Sequence, residues 1–303
     1  MKRDDVCVLI PTLNEAGSIR EVIEGFRSMG FQDILVIDGH STDGTPDLAR
    51  EAGARVIVQS GSGKGQALLE AFGLIDKEYI VLIDGDGTYL PSEVDRLLDP
   101  LMRGRADHVI GNRFSNLRGG SLKRLNLVGN WLINMLFGII YGVRLRDILS
   151  GYRAFTRSGI SSLDLSVTGF EIESEITIES LKKGLRIVEV PITYLPRAGG
   201  TRTKLSPLRD GPKIMLTIYR LAKTQNPLFY FGLMGAIFGS MGFLLGLYVV
   251  RDWLQGRIEH IPLTILTAIL IIVGFQLFLM GIQGDMMATM HREVMRELYR
   301  KKR

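Results

Sequence analysis

Two runs in the last quarter of the chain restrict its fold more than any other feature. From Leu228 to Val250 there are 23 consecutive residues without a charge, and from Ile261 to Gly284 another 24. As helices rising 1.5 Å per residue, each would reach roughly 35 Å, against a bilayer hydrocarbon core about 30 Å thick. A soluble helix of that length carries a polar stripe for its solvent face, and neither run has one, so the pair reads as a two-helix transmembrane hairpin over residues 227–285. The connecting RDWLQGRIEH offsets Arg251 and Arg257 with Asp252 and Glu259, whereas Arg209, Lys213, Arg220 and Lys223 precede the hairpin and Arg292, Arg296, Arg300 and Arg303 follow it. Basic flanks stay on the cytoplasmic side. The expectation is an integral membrane protein with both termini cytoplasmic, a short external loop and a basic cytoplasmic tail over 286–303. The N-terminal MKRDDVCVLIP has an apolar run of only five residues before Pro11, too short for a signal peptide.

Residues 1–205 then form a cytoplasmic domain, joined to the hairpin by an interfacial amphipathic linker over 206–226, where Ile214, Met215, Leu216, Ile218 and Leu221 alternate with cations. Leu122–Val143 is also strongly apolar, but Asn126, Asn130 and Asn134 recur at helical spacing and mark one polar stripe. Both an interfacial helix and a core helix satisfy that pattern. The single cysteine, Cys7, excludes an intramolecular disulfide and any multi-cysteine metal centre. A net charge of +5 invites an anionic partner, yet basic and aromatic residues do not interleave, which argues against nucleic acid.

The first 112 residues alternate short apolar runs (Val6–Ile10, Ile34–Asp38, Arg55–Gln59, Tyr79–Asp84, His108–Gly111) with amphipathic stretches closed by Gly30 and Gly53. Thr45-Pro46 reads as an N-cap followed by a first-turn proline. This is a βα repeat, and it predicts an α/β fold with a doubly wound, mostly parallel sheet. Ligands of such sheets lie at the carboxyl ends of the strands. Those ends carry Glu15 after Pro11, Asp38, the pair Asp84 and Asp86, and Asn112-Arg113. Two carboxylates one residue apart suit a hard divalent cation that shares its shell with phosphate oxygens. GSGKGQA at 61–67 lacks the Ser or Thr of a P-loop and the spacing of a dinucleotide fingerprint; it is either a phosphate-approaching loop with Lys64 or an ordinary helix start. Arg113, Arg124, Arg153, Arg197, Arg202 and Lys204 supply cations for phosphates, with a lipid-headgroup or solvated role equally open to any one of them.

Seven motifs in order, PTLNE (11–15), DGHSTDGT (38–45), GKG (63–65), DGDGTYLP (84–91), GNRF (111–114), DILSGYRAF (147–155) and GFEIESE (169–175), resemble the family 2 inverting glycosyltransferases of GT-A fold, and within them the dolichyl-phosphate mannose or glucose synthases. The resemblance covers roughly residues 5 to 205, with PRAGGTRTKLS (196–206) similar to a donor-covering loop. It implies that Pro11, Glu15 and Asp38 hold the nucleotide of a nucleotide sugar, with Lys64 and Asp84 beside them. Asp84 and Asp86 would hold Mg2+ or Mn2+, and Arg113, Arg124, Arg153, Arg202 and Lys204 would surround phosphates. Asp147, Ser150 and Gly151 would belong to the acceptor loop, and Asp86, Asp147 and Arg113 to the catalytic set.

The implied reaction moves a hexose to a polyprenyl (dolichyl) phosphate at the bilayer. UDP-glucose is favoured over GDP-mannose because Thr88 stands where many mannose synthases carry glutamine; UDP-N-acetylglucosamine stays open. Transfer to a hydroxyl, with Asp147 or Glu173 as base, and a non-catalytic scaffold are the alternatives. A processive polysaccharide synthase is disfavoured by the missing QxxRW motif. His40, in place of a small residue, is the second departure.

Overall fold

The structure, a computed structural model, describes residues 3–118, 124–166, 172–197, 226–256 and 261–301, with the isolated positions 212 and 216. The boundary expected at 205 and nearly all of the 206–226 linker lie outside the described residues. The chain divides into two compact units, residues 1–139 with 143–218, and residues 140–142 with 219–303.

The first unit contains strands β1 (Val6–Thr12), β2 (Asp33–Asp38), β3 (Arg55–Val58), β4 (Tyr79–Leu82), β5 (His108–Leu117), β6 (Arg153–Thr156) and β7 (Ile187–Tyr194), and helices α1 (Ile19–Ser28), α2 (Thr45–Glu51), α3 (Lys64–Phe72), α4 (Val94–Met102), α5 (Arg124–Tyr141), α6 (Arg157–Ser161) and α7 (Ile172–Lys182). They build one seven-stranded sheet of order β3-β2-β1-β4-β6-β5-β7. β1 lies inside it and is apolar on both faces: Val6, Val8 and Ile10 join the core under α1 and α4, while Cys7 and Leu9 join the core under α3 and α7. Burial pushes the Cys7 thiol up to about 12, so it stays protonated and inert. α1 docks through Ile19, Val22, Ile23 and Phe26 and α4 through Val94, Leu97, Leu98 and Leu101, a helical stripe in each case.

The sheet is mostly parallel, as the βα repeat predicts, with β6 antiparallel to both β4 and β5. At α2 the N-cap is Gly44, in the left-handed region at φ 84°, rather than Thr45. The Thr45 hydroxyl has other work, accepting from Glu15 N at 2.8 Å and donating to Asp43 at 2.5 Å.

The second unit holds α8 (Pro227–Leu254) and α9 (Ile261–Lys301). Pro227–Leu254 and Ile261–Met290 are long and apolar enough to cross a membrane. α9 runs through most of the segment expected as a separate basic tail. Large side chains such as Phe243, Leu244, Ile272 and Phe275 are exposed, and the two helices meet through glycine. A Cβ at Gly235 would lie 2.6 Å from the Gly274 carbonyl oxygen, and one at Gly274 would lie 2.7 Å from Gly239 N. Apolar residues outward and glycine inward is the arrangement of helices packed in lipid.

Candidate active site

The direction of β6 builds the site. Because β6 is antiparallel, its first residue, Arg153, pairs with Leu82 at the carboxyl end of β4 and with Ile110 of β5. The loop over 147–152 therefore enters the sheet from the crevice and is delivered against Asp84. The approach is close: a Cβ on Gly151 would lie 2.2 Å from an Asp84 carboxylate oxygen, so only glycine fits. Gly151 N donates to the buried Tyr89 hydroxyl at 3.0 Å, which pins the loop.

Asp84 accepts from Lys64 Nζ at 2.6 Å, and the same ammonium lies 2.5 Å from Glu173 of α7. Burial by itself would pull Lys64 down, but the two carboxylates carry it above its ordinary value and keep it charged. Burial likewise opposes ionisation of Asp84, and the Lys64 charge outweighs it and holds Asp84 below the carboxylate range. Of the two readings of the 61–67 loop, α3 does start at Lys64, yet its first side chain is a crevice cation. The loop before it is tied to the second strand end by His40, whose Nε2 lies 3.1 Å from Gly61 O and whose φ of 66° is left-handed.

Asp86 is buried and held from both sides. Its Oδ1 accepts from Thr88 N at 3.1 Å and from the Thr88 hydroxyl at 2.6 Å, and its Oδ2 lies 2.6 Å from Arg197 Nη2. Arg197 follows β7 and is absent from the site residues that the family resemblance implies. In the sequence it is legible only as one of several cations available to phosphates.

Two of the expected site residues, Asp147 and Arg153, are fully buried. Asp147, expected in the catalytic set and as a possible base, is fully buried and accepts three bonds from Arg113, from N at 2.9 Å, Nε at 2.8 Å and Nη2 at 2.7 Å. A carboxylate so engaged clamps the arginine in place. Arg113 in turn sits 5.4 Å from the Tyr194 ring centroid, and its charge is held well above the ordinary range against burial by Asp147. Arg153, expected on phosphate, is fully buried and donates to Ser150 O at 2.7 Å, Ile148 O at 2.5 Å and Thr177 Oγ1 at 2.8 Å. Its guanidinium shapes the 147–151 loop from below. Ser150 is buried in the same loop, and Arg202 and Lys204 lie outside the described residues, as does the Arg124 side chain. Pattern reading also missed the backbone clamps: Glu189 accepts from Asp147 N at 2.9 Å, and Asn134 accepts from Ile148 N at 3.0 Å and donates to Arg146 O at 2.7 Å.

At the other end of the crevice Asp38 is buried and accepts from Thr12 Oγ1 at 2.9 Å, Ser41 Oγ at 2.6 Å and Ser41 N at 2.8 Å. Pro11 and Glu15 lie half-buried at the end of β1 and just beyond it. Parallel pairing sets Pro11 beside Ile37 and Thr12 beside Asp38, which brings these residues to one strand edge.

Among the described residues no three or more His, Cys, Asp or Glu side chains gather as a metal cage. Asp84 and Asp86 alone fit a hard dication that takes its remaining ligands from water and from a bound diphosphate.

The asparagine stripe of α5 points inward, onto the loop through Asn134, along with the buried Ile133 and Phe137. The opposite face exposes Val128, Trp131, Met135 and Ile139, with Trp131 63% exposed. A groove of about 660 Å3 beside it is lined by Phe114, Trp131, Met135 and Ile139 together with Arg144 and Arg146.

A mixed sheet with acidic strand ends, facing arginines and a lysine paired to carboxylates, defines a GT-A glycosyltransferase crevice. The pattern of Glycosyl transferase family 2 matches residues 7–161, and the chain belongs to that family. It is 48% identical to glycosyltransferase AglJ of Haloferax volcanii over 97% of both chains. It is 33% identical to a dolichyl-phosphate hexose transferase of the same organism, over 74% of this chain and 96% of the relative. Glucosyl-3-phosphoglycerate synthase of Mycobacterium tuberculosis, solved with Mn2+ and UDP-glucose, superposes with a TM-score of 0.59 at 25% identity, covering 72% of this chain and 78% of that one.

Proposed function

We propose that this glycosyltransferase moves a hexose from a nucleotide sugar to the phosphate of a polyprenyl lipid at the bilayer surface, giving a lipid-linked monosaccharide. The observation that carries the reading is the state of the candidate bases. Asp147 is clamped by Arg113 and Glu173 by Lys64. A hydroxyl acceptor needs a base of suitable pKa, whereas a phosphate oxygen is already ionised at neutral pH and needs orientation. The relative named dolichyl-phosphate hexose transferase supports the same acceptor.

In this reading Pro11, Glu15 and Asp38 bind the nucleotide, and Asp84 and Asp86 hold a magnesium or manganese ion that, when bound, screens the diphosphate. Lys64 and Arg113 bring positive charge to the reacting phosphates, while Tyr89, Gly151 and Arg153 hold the acceptor loop in place. The acceptor oxygen forms its bond to C1 as the bond from C1 to the nucleoside diphosphate breaks, so the configuration inverts and the electron pair leaves with the diphosphate. Charge on that leaving group is what the fixed cations stabilise. UDP-glucose is the favoured donor, since Thr88 gives its hydroxyl to Asp86 and brings no side-chain carbonyl to the ion. The exposed face of α5, with Trp131 as anchor, rests in the headgroup region, and α8 and α9 span the membrane with both termini cytoplasmic.

The test is transfer from a panel of radiolabelled nucleotide sugars to a short polyprenyl phosphate, using the full-length protein in detergent with and without Mn2+. Organic-phase label from one donor is expected, and Asp86→Ala lowers the rate about 10²- to 10³-fold. Metal-dependent hydrolysis of a donor without lipid product would remove the polyprenyl phosphate as acceptor.

A further inference from the structure

We infer that Arg197 couples metal binding to nucleotide binding by acting as the resident counter-ion of Asp86; the inference rests on the nucleotide-sugar reading above. Both carboxylates of the Asp84–Asp86 pair already face a side-chain cation. Asp84 and Glu173 share Lys64, Asp147 is paired with Arg113, and Asp86 is paired with Arg197. The buried Arg153 lies close enough to feel both Glu173 and Asp147. A dication entering alone must take its oxygens from carboxylates that side-chain cations already hold.

Geometry decides which pair opens. Oδ1 of Asp86 is occupied by both donors of Thr88, so the face available to a cation is Oδ2, the one Arg197 holds at 2.6 Å. Lys64 is pinned between two carboxylates and its side chain is 12% exposed; Arg197 makes its crevice ion pair from beyond the end of β7, with its side chain 23% exposed. Arg197 is therefore the cation a metal displaces.

Displaced alone, its guanidinium loses the Asp86 carboxylate. If a nucleoside diphosphate arrives with the metal, the guanidinium exchanges a carboxylate for phosphate oxygens, which its planar fork suits equally well. Metal and diphosphate then bind with positive coupling, and linkage requires that each raise the other's affinity by the same factor. Arg197 is thus a positioning residue that keeps Asp86 from holding a metal ion before the donor is present.

The experiment is a Mn2+ titration of the full-length enzyme in detergent, read by the electron paramagnetic resonance signal of free Mn2+, without nucleotide and then with saturating UDP or GDP. Neither sugar transfer nor lipid is needed, so failure of the polyprenyl-phosphate acceptor and failure of the coupling are told apart. For Arg197→Gln, Mn2+ alone binds roughly tenfold tighter than to wild type, and the gain on adding nucleotide shrinks by about the same factor. Arg197→Lys, which restores a point charge but not the fork, falls between the two. Unchanged Mn2+ affinity in Arg197→Gln, or a nucleotide-driven gain as large as in wild type, overturns the proposal. So does an Asp86→Asn variant that binds Mn2+ as wild type does, which would also remove Asp86 from the metal site.

Discussion

In the crevice, charged atoms face one another at 2.5–2.7 Å in a mesh of arginine, lysine and carboxylates, while in the C-terminal helix pair the large apolar side chains face outward and glycine meets glycine. Both are close packings, but they assume different solvents. Lys64, Arg113 and Arg197 each meet a carboxylate in the crevice, and a partner lost from such a pair leaves a bare buried ion. The helix pair has no hydrophobic drive for association once its surroundings are as apolar as leucine, so contact depends on how near the backbones approach. One region is specified by complementary charge and the other by the absence of side chains.

Three substitutions break this comparison at different points. The largest effect on stability is expected for Asp147→Ala, which leaves Arg113 buried and unpaired; a loss of about 3–5 kcal/mol would show as a steep fall in melting temperature, and a fall no greater than that of an exposed carboxylate variant would contradict the clamp. Gly274→Leu tests the other region. It forces the backbones of α8 and α9 apart where a Cβ already has 2.7 Å to Gly239 N. A cost of about 1–3 kcal/mol is expected, read as lost monodispersity on heating in detergent, with UDP or GDP affinity unchanged.

The third concerns pH. Burial first, and then the Arg153 charge, hold His108 well below its ordinary value, and its ring Nδ1 meets Ser180 at 3.0 Å. The folded protein thus keeps His108 neutral while the unfolded chain takes up a proton below about pH 6.5. Since the unfolded state binds more protons, stability rises with pH in that range; on acidification from 7 to 5 it falls by up to about 1.4 kcal/mol per unit. Melting temperatures across that interval should slope for wild type and flatten in His108→Gln; equal slopes would assign the acid sensitivity elsewhere.

Much of the catalytic region was legible beforehand because βα units are written in local patterns. Apolar runs ending in Asp38, Asp84 and Asp86 identified the strand ends, and a parallel sheet gathers such ends on one edge whatever the loops do. Roles were less legible than places. Arg153 and Arg113 are indistinguishable as sequence cations, yet one is fully buried beneath the loop and the other is clasped by Asp147. What separates them is the antiparallel direction of β6, which no local pattern announces. The asparagines of α5 were visible as a stripe, but that Asn134 meets the 146–148 backbone depends on the course of that loop rather than on the stripe.

The sequence by itself determined the layers: which runs are buried on both faces, which helices lack any polar face, and which acids end strands. These follow from the periodicity and length of apolar residues, properties a chain carries before it folds. Tertiary structure alone decided the pairing of charge. Lys64 with Glu173, Arg113 with Asp147 and Arg197 with Asp86 join residues 34 to 111 positions apart. An ion pair depends on distance in space, which pattern along the chain does not encode.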